Sequence, residues 1–154
     1  MTTEKSIDKI LFALELSSLS KSVAEWVKVM GKQFNAEVHV LHVVPELDYW
    51  KVAYAISPRH LDDENKILNN AENQVEAFCQ ENLEALPRLK TKVVIGKPAE
   101  EIVNYIKDES ISMAVMGTHA KSGLDRTIFG SVADRVLRLS PVPVFTVNPH
   151  PPEN

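Results

Sequence analysis

Met113-Ala114-Val115-Met116-Gly117-Thr118-His119-Ala120-Lys121-Ser122-Gly123-Leu124-Asp125-Arg126-Thr127-Ile128-Phe129-Gly130-Ser131-Val132 leaves an apolar run, crosses a polar loop of small residues and enters a helix. Met113 to Gly117 does not alternate between apolar and polar residues, so it suits a strand covered on both faces. Beyond the loop, Val132, Val136 and Leu137 give the following helix an apolar face, and Ser140-Pro141 ends it. A buried strand that feeds an amphipathic helix is the repeating unit of an α/β fold, and the pattern recurs on both sides of this stretch.

Toward the N-terminus, Ile10-Leu11-Phe12-Ala13-Leu14 is another continuous apolar run, broken by Ser17-Ser18-Leu19-Ser20. Ser22 and Glu25 have the spacing of a capping box, and Val23, Trp26, Val27, Met30 and Phe34 form a helical stripe. Val38 to Val44 is rich in β-branched residues and stops at Pro45, which reads as a second strand. Glu46 to His60 has no clean period and is long for a connection. A long helix runs from Leu61 to Leu86 and ends at Pro87. Lys92 to Gly96 is a third strand, and Pro98 opens the next helix. Val142 to Val147 is a fifth strand, placed at or near a sheet edge because Pro143 cannot donate a ladder bond. The order β-α-β-α-β-α-β-α-β with buried strands predicts one doubly wound, Rossmann-like α/β domain: a five-stranded parallel sheet with helices on both faces. Ligands of such sheets bind beyond the carboxyl ends of the strands, here at Glu15, Val43 to Glu46, Gly96 to Pro98 and from Gly117 onward.

The 154 residues suit a single domain, and the formal charge of −4 argues against a sequence-independent nucleic-acid binder. One cysteine, Cys79, excludes an internal disulfide and a cysteine zinc cluster, and its place on an amphipathic helix suits an inert apolar group. The start of the chain lacks a cationic stretch followed by an apolar core, and no apolar run approaches the ~20 residues that span a bilayer. The expectation is a cytoplasmic protein without a membrane partner. His39 and His42 fall on a buried strand and are expected to be packed and hydrogen-bonded groups.

Several catalytic signatures are missing. Five residues separate Gly117 from Gly123 and Leu124 follows, so there is no phosphate-binding Walker loop. The first strand is not followed by G-x-G-x-x-G, and neither G-x-S-x-G nor H-E-x-x-H occurs. A phospho-receiver needs an acidic cluster where only Glu15 stands. What remains is the loop itself. Three of the five glycines, Gly117, Gly123 and Gly130, fall within fourteen residues. The start of the helix at Gly130-Ser131 offers unpaired N–H groups and a positive dipole end, which favour phosphate. Ser131 can donate to a phosphate oxygen or cap the helix. His119, Lys121 and Arg126 could add positive charge, and for His119 a phosphate-side role and simple exposure both stand.

This region resembles the universal stress protein family, whose nucleotide-binding members carry Gly-x2-Gly-x9-Gly-(Ser/Thr). The matching positions are Gly117, Ala120, Gly130 and Ser131. Leu41-His42-Val43, Gly96-Lys97-Pro98 and Pro141-Val142-Pro143-Val144 are similar to other family segments, so the resemblance extends from about residue 8 to residue 148. It implies a domain over residues 1–148 with a tail at 149–154, and strand order 3-2-1-4-5. It implies an adenine nucleotide, usually ATP, with AMP or ADP as alternatives and magnesium accompanying ATP. The backbone of Val43 would meet the adenine, and Ala13 and Glu15 the ribose. Met116 and Gly117 would line the pocket floor, and Gly130, Ser131 and Val132 would hold the phosphates. A homodimer paired through the fifth strand, Val142 to Val147, is also implied. The implied role is a stress-response regulator rather than an enzyme, at most a slow ATP hydrolase.

Two positions depart from the family pattern. Glu15 stands where Asp is usual, and Ala120 stands where the middle glycine is usual. If they impair the site, the alternative is a nucleotide-independent adaptor dimer of the same fold.

Overall fold

Successive residues of one strand point to opposite faces, so Ile10 and Phe12 serve one layer of core while Leu11 and Ala13 serve the other. This is why the strands lack polar alternation: both faces are covered. The computed structural model describes residues 3–46, 60–118 and 130–148. The elements are β1 (Lys9–Ala13), α1 (Ser20–Gln33), β2 (Glu37–Pro45), α2 (His60–Asn82), β3 (Leu89–Gly96), α3 (Pro98–Asp108), β4 (Met113–Gly117), α4 (Ser131–Leu139) and β5 (Val144–Val147). The five strands form one sheet in the order β3-β2-β1-β4-β5, and every pairing is parallel. The fold class and strand order match the sequence expectation.

On one face, Phe12, Val40 and Val115 pack against Val23 and Val27 of α1 and Val75 and Cys79 of α2. On the other, Leu11, Leu41 and Met116 pack against Ile102 and Ile106 of α3 and Val136 of α4. Each such side chain stabilises the fold by about 1.5–3 kcal/mol through burial. His39 sits fully buried within β2, and both its ring nitrogens are engaged: Nδ1 with the Tyr105 hydroxyl at 2.7 Å and Nε2 with Glu37 at 2.6 Å. Burial pushes the Tyr105 hydroxyl up to about 12, helped by the charges of Glu109 and Glu37. Burial also pushes the Cys79 thiol up to about 11, so it stays protonated and inert at neutral pH.

Six local expectations need correction. α1 begins at Ser20, so Ser22 and Glu25 form no capping box; the Ser20 hydroxyl instead accepts from the Ser17 N–H at 3.0 Å. Trp26 and Phe34 are not on the core stripe but 49% and 45% exposed, because α1 buries the small residues Ser20, Ala24 and Gly31 beside Val23 and Val27. A Cβ at Gly31 would come within 2.9 Å of the Leu86 side chain, so the helix packs closer than larger residues would allow. Leu137 likewise points outward, and α4 buries Ala133 and Val136. α2 stops at Asn82 rather than Leu86, although Leu83 and Leu86 remain buried beyond its end. β5 is shorter than expected, since pairing begins at Val144 just past Pro143, whereas β3 is longer and begins at Leu89. Within the long Glu46–His60 connection, residues 47–59 lie outside the described residues.

Candidate functional site

β1 has β2 on one side and β4 on the other, so the chain leaves β1 in opposite directions around the sheet and a crevice opens at its carboxyl end. Beyond Ala13 the strand is held one residue further, because the Leu14 N–H donates to the Leu41 carbonyl at 2.9 Å. The chain then turns through Leu16, whose φ of 55° places a bulky residue in the left-handed region. That conformation costs about 1–2 kcal/mol for a non-glycine residue and clusters at functional sites.

The crevice is a cleft of about 390 Å³, within the range of small-molecule sites. Among the described residues its walls are mostly apolar: Ala13, Leu14 and Leu16 from the β1 end, Leu41, Val43 and Pro45 from β2, Pro98 and Ile102 from α3, and Val132 from α4. Glu15, His42 and Gln74 are the polar groups that line it. Burial raises the Glu15 carboxyl above its ordinary value. His42 is held by a 2.7 Å hydrogen bond between Nδ1 and the Leu14 carbonyl. Burial depresses its pKa, and the hydrogen bond to Leu14 opposes that shift only in part.

At the far end, Thr118 follows β4 and is tied to β5: its N–H donates to the Val147 carbonyl at 3.0 Å. The Gly130 N–H donates to the Thr118 carbonyl at 2.6 Å, which brings the start of α4 against the end of β4. A Cβ on Gly130 would lie 2.9 Å from that same carbonyl oxygen, so the approach needs glycine. The reason is closeness and not twist, because Gly130 has an ordinary φ of −62°. The next N–H groups, of Ser131, Val132 and Ala133, open a helix and have no acceptor within it.

The structure therefore brings Ala13, Glu15, Val43 and Val132 onto one cleft. Gly117 adjoins Ala13 and Glu15 in a small pocket beside it, with Ser17 and Ser20. Met116 is buried in the same apolar cluster as Leu41, Val43 and Ile102. Gly130 and the exposed Ser131 begin α4, two residues and one residue before Val132. His119 and Ala120 lie outside the described residues. Sequence reasoning missed Leu16, Gln74 and Ile102, and it assigned His42 a packing role without its place on the cleft. Among the described residues, no group of three His, Cys, Asp or Glu side chains could hold a metal ion, and no helix is long and apolar enough to cross a membrane.

Residues 6–148 match the sequence profile of the universal stress protein family. The chain belongs to that family. It is 29% identical to universal stress protein MJ0577 of Methanocaldococcus jannaschii over 151 residues, covering 90% of this chain and 93% of the relative. It is 30% identical to universal stress protein YxiE of Bacillus subtilis over 151 residues, covering 91% of this chain and 98% of that one. The solved structure of MJ0577 superposes with a TM-score of 0.79, covering 96% of this chain and 98% of that chain. Two more distant universal stress protein structures share the fold at TM-scores of 0.62 and 0.56, with 16% and 15% identity. Universal stress proteins thus span this fold from one end to the other, and the cleft described above lies inside the matched residues.

Proposed function

We propose that this universal stress protein binds an adenine nucleotide, ATP in the first instance, and acts as a regulatory dimer rather than as an enzyme. The observation that carries the reading is Gly130: its backbone lies so close to Thr118 that a Cβ would collide, and the first N–H groups of α4 follow it directly. That is the arrangement in which a helix start receives a phosphate. The apolar slot between Ala13, Val43 and Ile102 suits a flat base, and Glu15, on the same cleft, would meet a ribose hydroxyl. The two distant relatives were solved in complex with cAMP and with dAMP, so proteins of this fold accommodate adenine nucleotides. Magnesium would enter with the phosphates, held by their oxygens, and Ser131 offers a hydroxyl of the right kind at the helix start.

The same reading takes residues 1–148 as the domain and the cytoplasm as its setting; the tail at 149–154 lies outside the described residues. The dimer reading rests on β5, which forms one edge of the sheet. Phe145 on that edge is 36% exposed and lies 6.1 Å from the exposed Trp26 ring, and Leu137 and Leu139 of α4 are exposed as well. An apolar edge strand is a template for pairing with a second strand. Phe145→Lys is expected to shift the protein from dimer to monomer in light scattering; an unchanged mass would reject pairing through β5.

The nucleotide reading is tested by releasing bound ligand from the purified protein for mass analysis and titrating stripped protein with ATP and AMP by calorimetry. Binding of either supports it. No released nucleotide and no heat of binding would leave an adaptor dimer of the same fold.

A further inference from the structure

We propose that His42 is a positioning residue for the base: by drawing the Leu14 carbonyl out of the β1–β2 ladder, its side chain leaves the backbone N–H of Val43 open to the ligand. The role rests on the adenine-nucleotide reading and names the group that prepares one of its contacts.

The pairing of β1 with β2 ends at Ala13 and Leu41, whereas β2 continues beside β3 as far as Pro45 and Gly96. In a parallel ladder a residue bonds to the two residues that flank its partner, donating to one and accepting from the other. Leu14 lies one step beyond Ala13, opposite His42, and keeps half of that pattern: its N–H donates to the Leu41 carbonyl at 2.9 Å. The other half, from the Val43 N–H to the Leu14 carbonyl, is absent from the backbone hydrogen bonds of the described residues. His42 Nδ1 takes that carbonyl instead, at 2.7 Å. A carbonyl only accepts, so Nδ1 carries the proton and donates, whether the ring is neutral or charged. The chain then turns away through Leu16.

His42 does this from outside the base slot. Leu14, Val38 and Val40 pack on one face of the sheet, and Ala13, Leu41, Val43 and Ile102 on the other. Alternation along β2 puts the His42 side chain on the Val40 face. The broken rung lies between the two faces, in the plane of the sheet. Glu37 donates its N–H to the Asp8 carbonyl ahead of β1, and Val38 donates to the Arg88 carbonyl ahead of β3. Odd-numbered residues of β2 therefore turn their backbone groups toward β1. Val43 is one of them, so its N–H points into the space that β1 has left, where Val43 and Ala13 line the cleft. Val43 is buried, and a buried N–H without a partner costs free energy until an acceptor meets it. A ring nitrogen of the base is such an acceptor.

The test uses the full-length protein stripped of ligand, with amide hydrogen exchange read by NMR and ATP binding read by calorimetry. In the wild-type protein the Val43 amide should exchange faster than that of Leu41, which lies within the paired stretch, and should slow when ATP is added. In His42→Leu the donor is gone and the Leu14 carbonyl can return to the ladder. Its Val43 amide should exchange roughly 10-fold more slowly than in the ligand-free wild type, and ATP should bind roughly 10-fold more weakly. In His42→Asn a side-chain N–H stands in for Nδ1, and both values should return to within about 3-fold of wild type. Equal protection of Val43 and Leu41 in the ligand-free wild type would overturn the role of His42 while leaving a nucleotide site intact. So would a folded His42→Leu protein with wild-type affinity, or a His42→Asn protein that behaves like His42→Leu. If the wild-type protein bound no ATP, the adenine-nucleotide reading itself would fall, and the role of His42 with it.

Discussion

The two ends of the cleft are built by different means. At the α4 end the backbone makes the site: Gly130 donates its N–H to Thr118, its missing Cβ allows the approach, and the helix start presents N–H groups. At the β1–β2 end side chains make it: Ala13, Leu41 and Val43 form the walls, and Glu15 and His42 supply the polar atoms. A backbone site tolerates almost no added volume, because main chain cannot swing aside. A side-chain wall tolerates exchange and can be tuned. The difference predicts how substitutions at each end should behave.

The largest effect belongs to Gly130. Gly130→Asp adds a Cβ where only 2.9 Å is available to a backbone oxygen, and it places a negative charge where a phosphate would sit. Nucleotide affinity should fall by about 100-fold or more, equivalent to roughly 3 kcal/mol. Calorimetry on the folded variant reads this directly; binding within a few-fold of wild type would break the distinction between the two ends. The next effect falls on Leu16 at the opposite end. Its φ of 55° already carries strain, and a β-branched residue there is worse placed. Leu16→Val should lower stability by about 2 kcal/mol, counting the extra backbone strain and the lost methylene. Urea denaturation measures it, and an unchanged midpoint would mean that the turn relaxes without cost.

Beneath both ends lies a polar cluster that should be independent of the ligand. Tyr105→Phe removes the partner of buried His39 Nδ1, so stability should drop by about 1–2 kcal/mol with nucleotide affinity unchanged. The wild-type protein should also lose stability at alkaline pH. The Tyr105 hydroxyl is raised from 10.0 to about 12, so its stabilising contribution is complete below 10 and is lost as pH rises through the folded value. The Phe variant should lack that alkaline step. A change in affinity would show that the cluster communicates with the cleft.

The same contrast explains what could be read from the chain. Fold class and the α4 end were legible because buried strands and close backbone approach leave a mark in residue type, as apolar runs and as glycine at Gly130, whereas the strand order came from the family resemblance. The β1–β2 end was only half legible. Val43 and Glu15 stand at strand ends, so the topology points to them, but nothing in the sequence marks Leu16, since leucine is not a residue that prefers positive φ. Ile102 reads as a core residue, and it is one, while its flank also faces the cleft. Trp26 misled because its spacing fits a helical stripe, whereas the tight packing of α1 at Gly31 reserves the interface for small side chains.

The smallest effect, and the one that separates wall from ligand contact, concerns Glu15. Burial raises its carboxyl above the ordinary value of 4.5, so the folded state resists ionisation there. A group raised on folding contributes stability that is complete below its unfolded pKa and is lost as pH rises through the folded value. Above its ordinary range the buried Glu15 carboxyl is therefore a liability in the ligand-free protein. Glu15→Gln keeps the shape and stays neutral, so it should be more stable than wild type at pH 7, and the advantage should vanish as the pH falls toward 4.5. His42 runs the opposite way, since its depressed pKa costs stability as pH falls below 6.5, but it does so in both proteins and cancels in their difference. Denaturation at a series of pH values supplies that difference. A flat curve would mean that Glu15 reaches water in the free protein, and the β1–β2 end would then be more open than its apolar walls suggest. A sloping curve that flattens when ATP is added would mean that the nucleotide itself holds the carboxylate charged, which makes Glu15 a contact to the ligand as well as part of the wall.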